Sequence, residues 1–305
     1  MLLEEARRRN RRRISALAVV AVLNHWVVVT IVATGVIFWA AAKADEDRAE
    51  YAFGALVVIG IVVAFLIVVT FVLVKVRGAA RATVKALGAE LADGGTHKRL
   101  KNLAEELALA VGIEPVAIAI LDDPVPNALT VGTGRRSTIV VTSGLIEQLA
   151  RDELEAVLAV QMCAIRRLDV ALQTVVVASA SGAASIHRGF RDDWKDPRVW
   201  IWIAVTWPSW LLAQWIRRSA YAQCDMGADD MAITITRHPE ALRRALAKLL
   251  DDPGVVAAVT SGNAPLWFEP VPEPAPQHSE ARIVQLERHS MTPSLEARIA
   301  RLDAA

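Results

Sequence analysis

Enzyme chemistry needs metal donors, bases or nucleophiles at set spacings, and this chain supplies few. Its two cysteines, Cys163 and Cys224, form no CxxC pair and no disulfide framework. His97, His238, His278 and His289 are scattered. No two of them sit at i and i+4, the spacing that lets two rings on one helix face share a metal. The serines of "TSG" (142–144) and "TSGN" (260–263) lack a GxSxG elbow. "VGTGRR" lacks the GxGxxG order of a phosphate loop. Asp192, Asp193 and Asp196 alternate with Arg and Lys and read as a solvated loop rather than a calcium site.

The elements that would position any site begin with membrane spans. The 305 residues are 54% hydrophobic with mean hydropathy +0.34, too apolar for an ordinary soluble domain. Residues 14–42 and 52–74 carry no Lys, Arg, Asp or Glu, and about 20 apolar residues suffice to span a bilayer. Net charge is +1, so nothing points to nucleic acid. "RRRNRRR" precedes the first span; Lys75, Arg77, Arg81 and Lys85 follow the second; the loop between has one Lys and one Arg. The positive-inside rule then places the N-terminus and everything after residue 75 in the cytoplasm, with anionic-lipid binding as a secondary consequence of the arginines. His25, between Asn24 and Trp26 in the first span, suits an inter-helix hydrogen bond.

A second hydrophobic pair follows later. Residues 170–186 are small and weakly apolar. Residues 199–216 carry Trp200, Trp202, Trp207, Trp210 and Trp215 around Pro208, a composition typical of membrane interfaces. Length alone leaves spanning and buried readings open. The chain divides into an N-terminal transmembrane hairpin (1–77), a first soluble part (78–169), the second hydrophobic pair (170–218) and a C-terminal soluble part (219–305).

The soluble part reads as mixed α/β. "HKRLKNLAEELALAVG" has helical periodicity. "VAIAIL" (116–121) and "STIVVTS" (137–143) read as strands, with a loop and edge segment between them and a short helix in "GLIEQLA". Asp152 suits an N-cap, with Glu155 completing a capping box. The helix that follows, in "DELEAVLAVQMCAIRRLD" (152–169), has a core stripe of Leu154, Val157, Leu158, Met162, Ile165 and Leu168. Its other face carries Ala156, Val160, Ala164 and Arg167.

"PNALTVGTGRRSTIVVTSGLIEQLARDELEAVLA" resembles the HtpX-like membrane zinc metallopeptidases, and the order of spans and motifs extends the likeness over essentially the whole chain. The resemblance implies an α-helical membrane protein, mostly α, with a mixed α/β zincin-like cytoplasmic domain in a bacterial cytoplasmic membrane, active in protein quality control. It also implies zinc, held by the two His of HExxH and a Glu from a later helix, with the Glu of HExxH as general base.

Carried across residue by residue, the two ligand His positions fall on Val160 and Ala164, and the general base falls on Gln161. "DMGADDMAITITRHPEALRRAL" places Asp225 at the third ligand and keeps the motif acid as Asp229. In "HSMTPSLEARIARL", Thr292 takes the place of a His. Val and Ala offer no lone pair, and a neutral amide is no base near neutral pH. A catalytic zinc needs three protein ligands and a water. A Cys–Cys–Asp set of Cys163, Cys224 and Asp225 would need side chains rotated by about 100° per residue from the inherited positions.

On this reading no cofactor is expected, and the protein is expected not to be an enzyme. It would be a pseudopeptidase with a polypeptide-binding or regulatory role. Pro126, Asn127 and Ala128 would receive an extended membrane polypeptide, or an intact peptidase of the family, by strand addition. The alternative is an active membrane metalloendopeptidase of protein quality control with a relocated metal site. Besides these, the lipid bilayer is the only partner expected.

Overall fold

The computed structural model describes residues 2–41, 46–93, 95–178, 226–252, 254–260, 263, 266–269 and 293–304. Helices α1 (Leu2–Ala41) and α2 (Glu46–Leu87) pack together. Leu3–Gly35 and Val57–Leu87 are each long and apolar enough to cross a membrane. Only 6% and 11% of their most apolar windows are buried inside the protein. A soluble core helix would hide that surface; here Val58, Ile59, Leu66, Ile67 and Phe71 are exposed, as lipid-facing side chains are. Trp26 Nε1 donates to the Ile61 carbonyl at 3.1 Å, and its ring meets Phe65 edge-on at 5.7 Å. His25 differs from the expectation: its Nδ1 lies 2.7 Å from the Ala21 carbonyl of the same helix, so its polar atom is satisfied without a neighbour.

Beyond the spans, α2 runs on without a break past residue 77, and its end is covered by soluble structure. Ala80 and Leu87 pack on a four-stranded sheet ordered β1 (Glu90–Leu91), β2 (Ala117–Leu121), β4 (Thr138–Thr142), β3 (Ala128–Val131). β2 and β4 are parallel, joined by a crossover that carries β3, while β1 and β3 run antiparallel to their neighbours. β4 is buried along its whole length, which explains why its sequence is an apolar run rather than an alternation. Strand pleating sends Ile139 and Val141 to one face and Val140 to the other.

The first face carries the helices. α3 (Lys98–Val111), α4 (Ser143–Gln148), α5 (Arg151–Arg167), α7 (Gly227–Thr236), α8 (Pro239–Asp251) and α9 (Leu295–Asp303) contribute to one core there. α6 (Asp169–Ala178) follows α5 after a left-handed Leu168. Its Val170, Ala171, Leu172, Val175 and Val176 are buried in the protein. Residues 179–225, the rest of the second hydrophobic pair, lie outside the described residues.

The second face of α5 is buried as well: Ala156, Val160 and Arg167 all lie inside the protein. α5 departs from its sequence reading at its start, which comes two residues earlier, with Ala150 at the N-cap instead of Asp152. The reason is Glu153, whose Oε2 accepts from the Ala150 N–H at 2.8 Å and from Lys248 of α8 at 2.6 Å, while Arg244 lies at 3.3 Å. Asp152, now in the first turn of the helix, pairs with Arg244 at the surface.

Burial pushes the Glu153 carboxyl upward, but the hydrogen bonds from Lys248, Ala150 and Arg244 outweigh it and hold the group below its ordinary value of 4.5. A carboxylate depressed by folding stabilises above its unfolded value and loses that contribution as pH falls through the lower folded value. Glu153→Gln is expected to cost about 1–3 kcal/mol at pH 7. The difference from wild type should shrink below pH 4.5, as read by chemical denaturation across pH; a constant difference would contradict it.

Candidate functional site

A cavity of about 90 Å³ opens beside α5. Val160, Gln161 and Ala164 form one wall, Asp169 and Gln173 of α6 another, and Met226, Ala228 and Asp229 a third. Trp267, Phe268 and Arg298 close it. The space exists because α5 presents small or short side chains there, one turn apart, where α5 comes nearest to α7.

Asp229, Gln161 and Asp169 on these walls are each committed to a partner. Asp229 accepts two hydrogen bonds from Arg298 of α9, Nε to Oδ2 and Nη2 to Oδ1, both at 2.8 Å, with both side chains at least nine-tenths buried. The Arg298 guanidinium lies 4.3 Å from the centre of the Phe268 ring. Gln161 Oε1 accepts from the Thr130 hydroxyl of β3 at 2.7 Å. Asp169 accepts from Arg167 Nε at 2.9 Å and from Asn10 Nδ2 of α1 at 2.6 Å; Asn10 Nδ2 also reaches the Arg167 carbonyl at 3.0 Å. Gly227, where α7 begins, has no room for a Cβ because the Arg167 guanidinium fills that place. The membrane arm, α5, α6 and α7 therefore meet at one polar junction on the rim of the cavity.

Pro126, Asn127 and Ala128 are all buried. Asn127 is a structural hub: its N–H donates to Thr142 Oγ1 at 2.9 Å, and its carbonyl accepts from the Thr142 N–H at 3.1 Å. Its Oδ1 accepts from the N–H of Ala128 at 2.8 Å and of Glu269 at 3.1 Å. The outer side of β3 is covered by the chain itself. Trp267 pairs antiparallel with Leu129, and the Phe268 N–H donates to the Ala128 carbonyl at 2.7 Å. Trp267 and Phe268 are buried, and burying such side chains is worth about 1.5–3 kcal/mol each. A neutral hydrogen bond nets about 0.5–1.5 kcal/mol. Side chains rather than the backbone ladder thus hold this segment. Burial and the nearby Asp252 push the Glu269 carboxyl up to about 8.

Of the degenerate motif positions, the structure brings together Val160, Gln161, Ala164 and Asp229. Cys224, Asp225 and Thr292 lie outside the described residues. Cys163 is fully buried in the helix-side core and is not on the cavity wall; burial pushes its thiol up to about 12. Sequence reading missed Arg298, Thr130, Asp169 and Asn10. Only Arg298 had a sequence signal, the Arg of "EARIARL"; the other three are ordinary polar residues until folding brings them to α5.

The described wall does not fit a zinc ion. Val160 and Ala164 have no donor atoms, both Asp229 oxygens serve Arg298, and the Gln161 oxygen is engaged by Thr130. Among the described residues, no three His, Cys, Asp or Glu side chains are grouped to hold a metal.

Two outcomes are expected. Asp229→Asn should cost about 3–5 kcal/mol, because it leaves the Arg298 charge buried without a counterion; denaturant unfolding showing under 1 kcal/mol would contradict the pair's role. Cys163 should remain unmodified by a maleimide in the folded protein at pH 8 and react only on unfolding, as a thiol raised to about 12 carries negligible thiolate there. Mass spectrometry of the labelled protein decides it.

Residues 91–305 match Peptidase family M48. The chain is 30% identical over 257 residues to a protein of Dictyoglomus turgidum named "Protease HtpX homolog", covering 80% of this chain and 81% of that one. Proteins of the same name from Dictyoglomus thermophilum and Limosilactobacillus fermentum share 32% over 222 residues and 26% over 272 residues. These cover 68% and 83% of this chain and 73% and 89% of theirs. The expectation that the chain is not an enzyme is corrected by these relatives, whose family and names point to a protease. That expectation rested on the residue types at Val160, Gln161, Ala164, Asp225 and Thr292, which lack or shorten the family's donors and base. A family match over residues 91–305, with HtpX-named relatives aligned along most of the chain, means that this protein belongs to peptidase family M48.

Proposed function

We propose that the protein is a membrane-bound endopeptidase of protein quality control, with its zincin-like domain on the cytoplasmic face of a bacterial membrane. It acts on polypeptides that reach the cavity beside α5 in extended form along β3, where Pro126, Asn127 and Ala128 fix the strand. The observation that carries this reading is family membership across residues 91–305, joined to two long apolar helices. The arginines before the first span and the basic residues after the second support the orientation.

Since Val160 and Ala164 cannot ligate, the metal of this reading is held by a relocated set. Cys224 and Asp225 directly precede Met226, which lines the cavity, and are the donors that this reading assigns first. Cys163 stands in the core and is left out of the set. A membrane polypeptide is the proposed partner.

The test is elemental analysis of the full chain, purified in detergent from zinc-supplemented medium, together with β-casein degradation with and without a chelator. Expected are about one zinc per chain and cleavage that the chelator abolishes. Cys224→Ser and Asp225→Asn should lose both zinc and cleavage while keeping the wild-type helical content by circular dichroism. A zinc-free, folded protein that leaves casein intact would overturn the reading.

A further inference from the structure

We propose that residues 266–269 are an internal ligand of the β3 edge, and that this edge takes extended polypeptides carrying an aromatic side chain at the place now held by Phe268. The proposal rests on the polypeptide-acting reading above and names the substrate class and the competitor at that same site.

β3 is the last strand of the sheet, and pleating turns the backbone groups of Ala128 outward from β4, as a strand edge does. An unpaired edge of this kind is where an added polypeptide strand gains its main-chain hydrogen bonds. The Ala128 carbonyl has such a partner in the Phe268 N–H, and Asn127 Oδ1 has one in the Glu269 N–H. The pairing is antiparallel, with Trp267 opposite Leu129.

Alternation along the added segment places its side chains on the two sides of the sheet. Trp267 joins the face packed by the end of α2, and Phe268 joins the face of α5 and lines the cavity. There the Phe268 ring lies against Arg298, which Asp229 fixes by its two hydrogen bonds. A guanidinium held in place over a ring is a preformed aromatic subsite. A polypeptide that presents Phe, Tyr or Trp in this register repeats every contact the chain makes with itself. Segments rich in such residues are buried in folded proteins and exposed in unfolded ones, so the substrate class is the unfolded, apolar stretch rather than a folded surface. While residues 266–269 occupy the edge, the apparent affinity for a second strand is reduced by the fraction of chains in which the edge is open.

The probe is the blocked peptide APLWFEP, the chain's own residues 264–270, labelled for fluorescence anisotropy and offered to the full chain in detergent. Phe268→Ala, which vacates the aromatic subsite, is expected to bind it about tenfold more tightly than wild type does. The same peptide with Ala in place of Phe should show no such gain. Wild-type protein gives a second measurement that needs no variant: saturating peptide should speed hydrogen exchange at the Phe268 and Glu269 amides and leave the β2–β4 ladder protected. Unchanged protection at saturating peptide, or equal affinity of Phe268→Ala for the two peptides, would overturn the proposal and make this segment a permanent strand. Binding is read without cleavage or metal. A zinc-free, inactive protein that passes this test therefore refutes the peptidase reading alone, and an active one that fails it refutes only the route along β3.

Discussion

The deep burial of α5 along most of its length is the constraint from which the rest of the soluble part follows. A buried helix position can keep a polar residue only where a partner meets it. Four of the polar residues on α5 mark such junctions. Glu153 meets Lys248 and Arg244 of α8. Gln161 meets Thr130 of the edge strand. Arg166 donates to the Val111 carbonyl, closing the C-terminus of α3 where Gly112 turns left-handed. Arg167 meets Asp169 and, through it, Asn10 of the membrane arm. The remaining buried positions are apolar or small, and they set how closely the sheet and α7 approach.

That arrangement leaves one space beside the helix. Residues 160 and 164 are short, so the gap between α5 and α7 is not filled, and its polar rim is already neutralised by the Asp229–Arg298 pair. The rim also ties the space to the bilayer. Asn10 lies four residues before the uncharged stretch begins, on the face opposite exposed Arg8 and Arg12, so the helix that enters the membrane is anchored at the cavity. A shift of α1 relative to α5 would have to break or carry along those bonds.

The sheet has a matching economy. Its central strands are buried on both faces, one by the helices and the other by the end of α2 with residues 256 and 266–267. β3 is exposed to competition only on its outer side, and the chain meets that liability with its own segment, held chiefly by two buried aromatic rings.

Local patterns were enough for the sequence to determine the two spans, the periodic α3, the apolar strands β2 and β4, the short α4, and the family motifs around residues 126–169. Hydropathy, periodicity and turn chemistry act over a few neighbours and can be read along the chain. Tertiary structure decided the rest. It moved the start of α5 to suit Glu153, whose counter-charges come from α8, far along the chain. It buried the second face of α5, which packs against α7. It satisfied His25 within its own helix, and it gave the edge of β3 to residues 267–268. The partners of Gln161 and Asp229, and the Asn10 partner of Asp169, each lie 31 or more residues away. The protease family is carried by likeness along residues 91–305, and no donor set among the described residues adds to it.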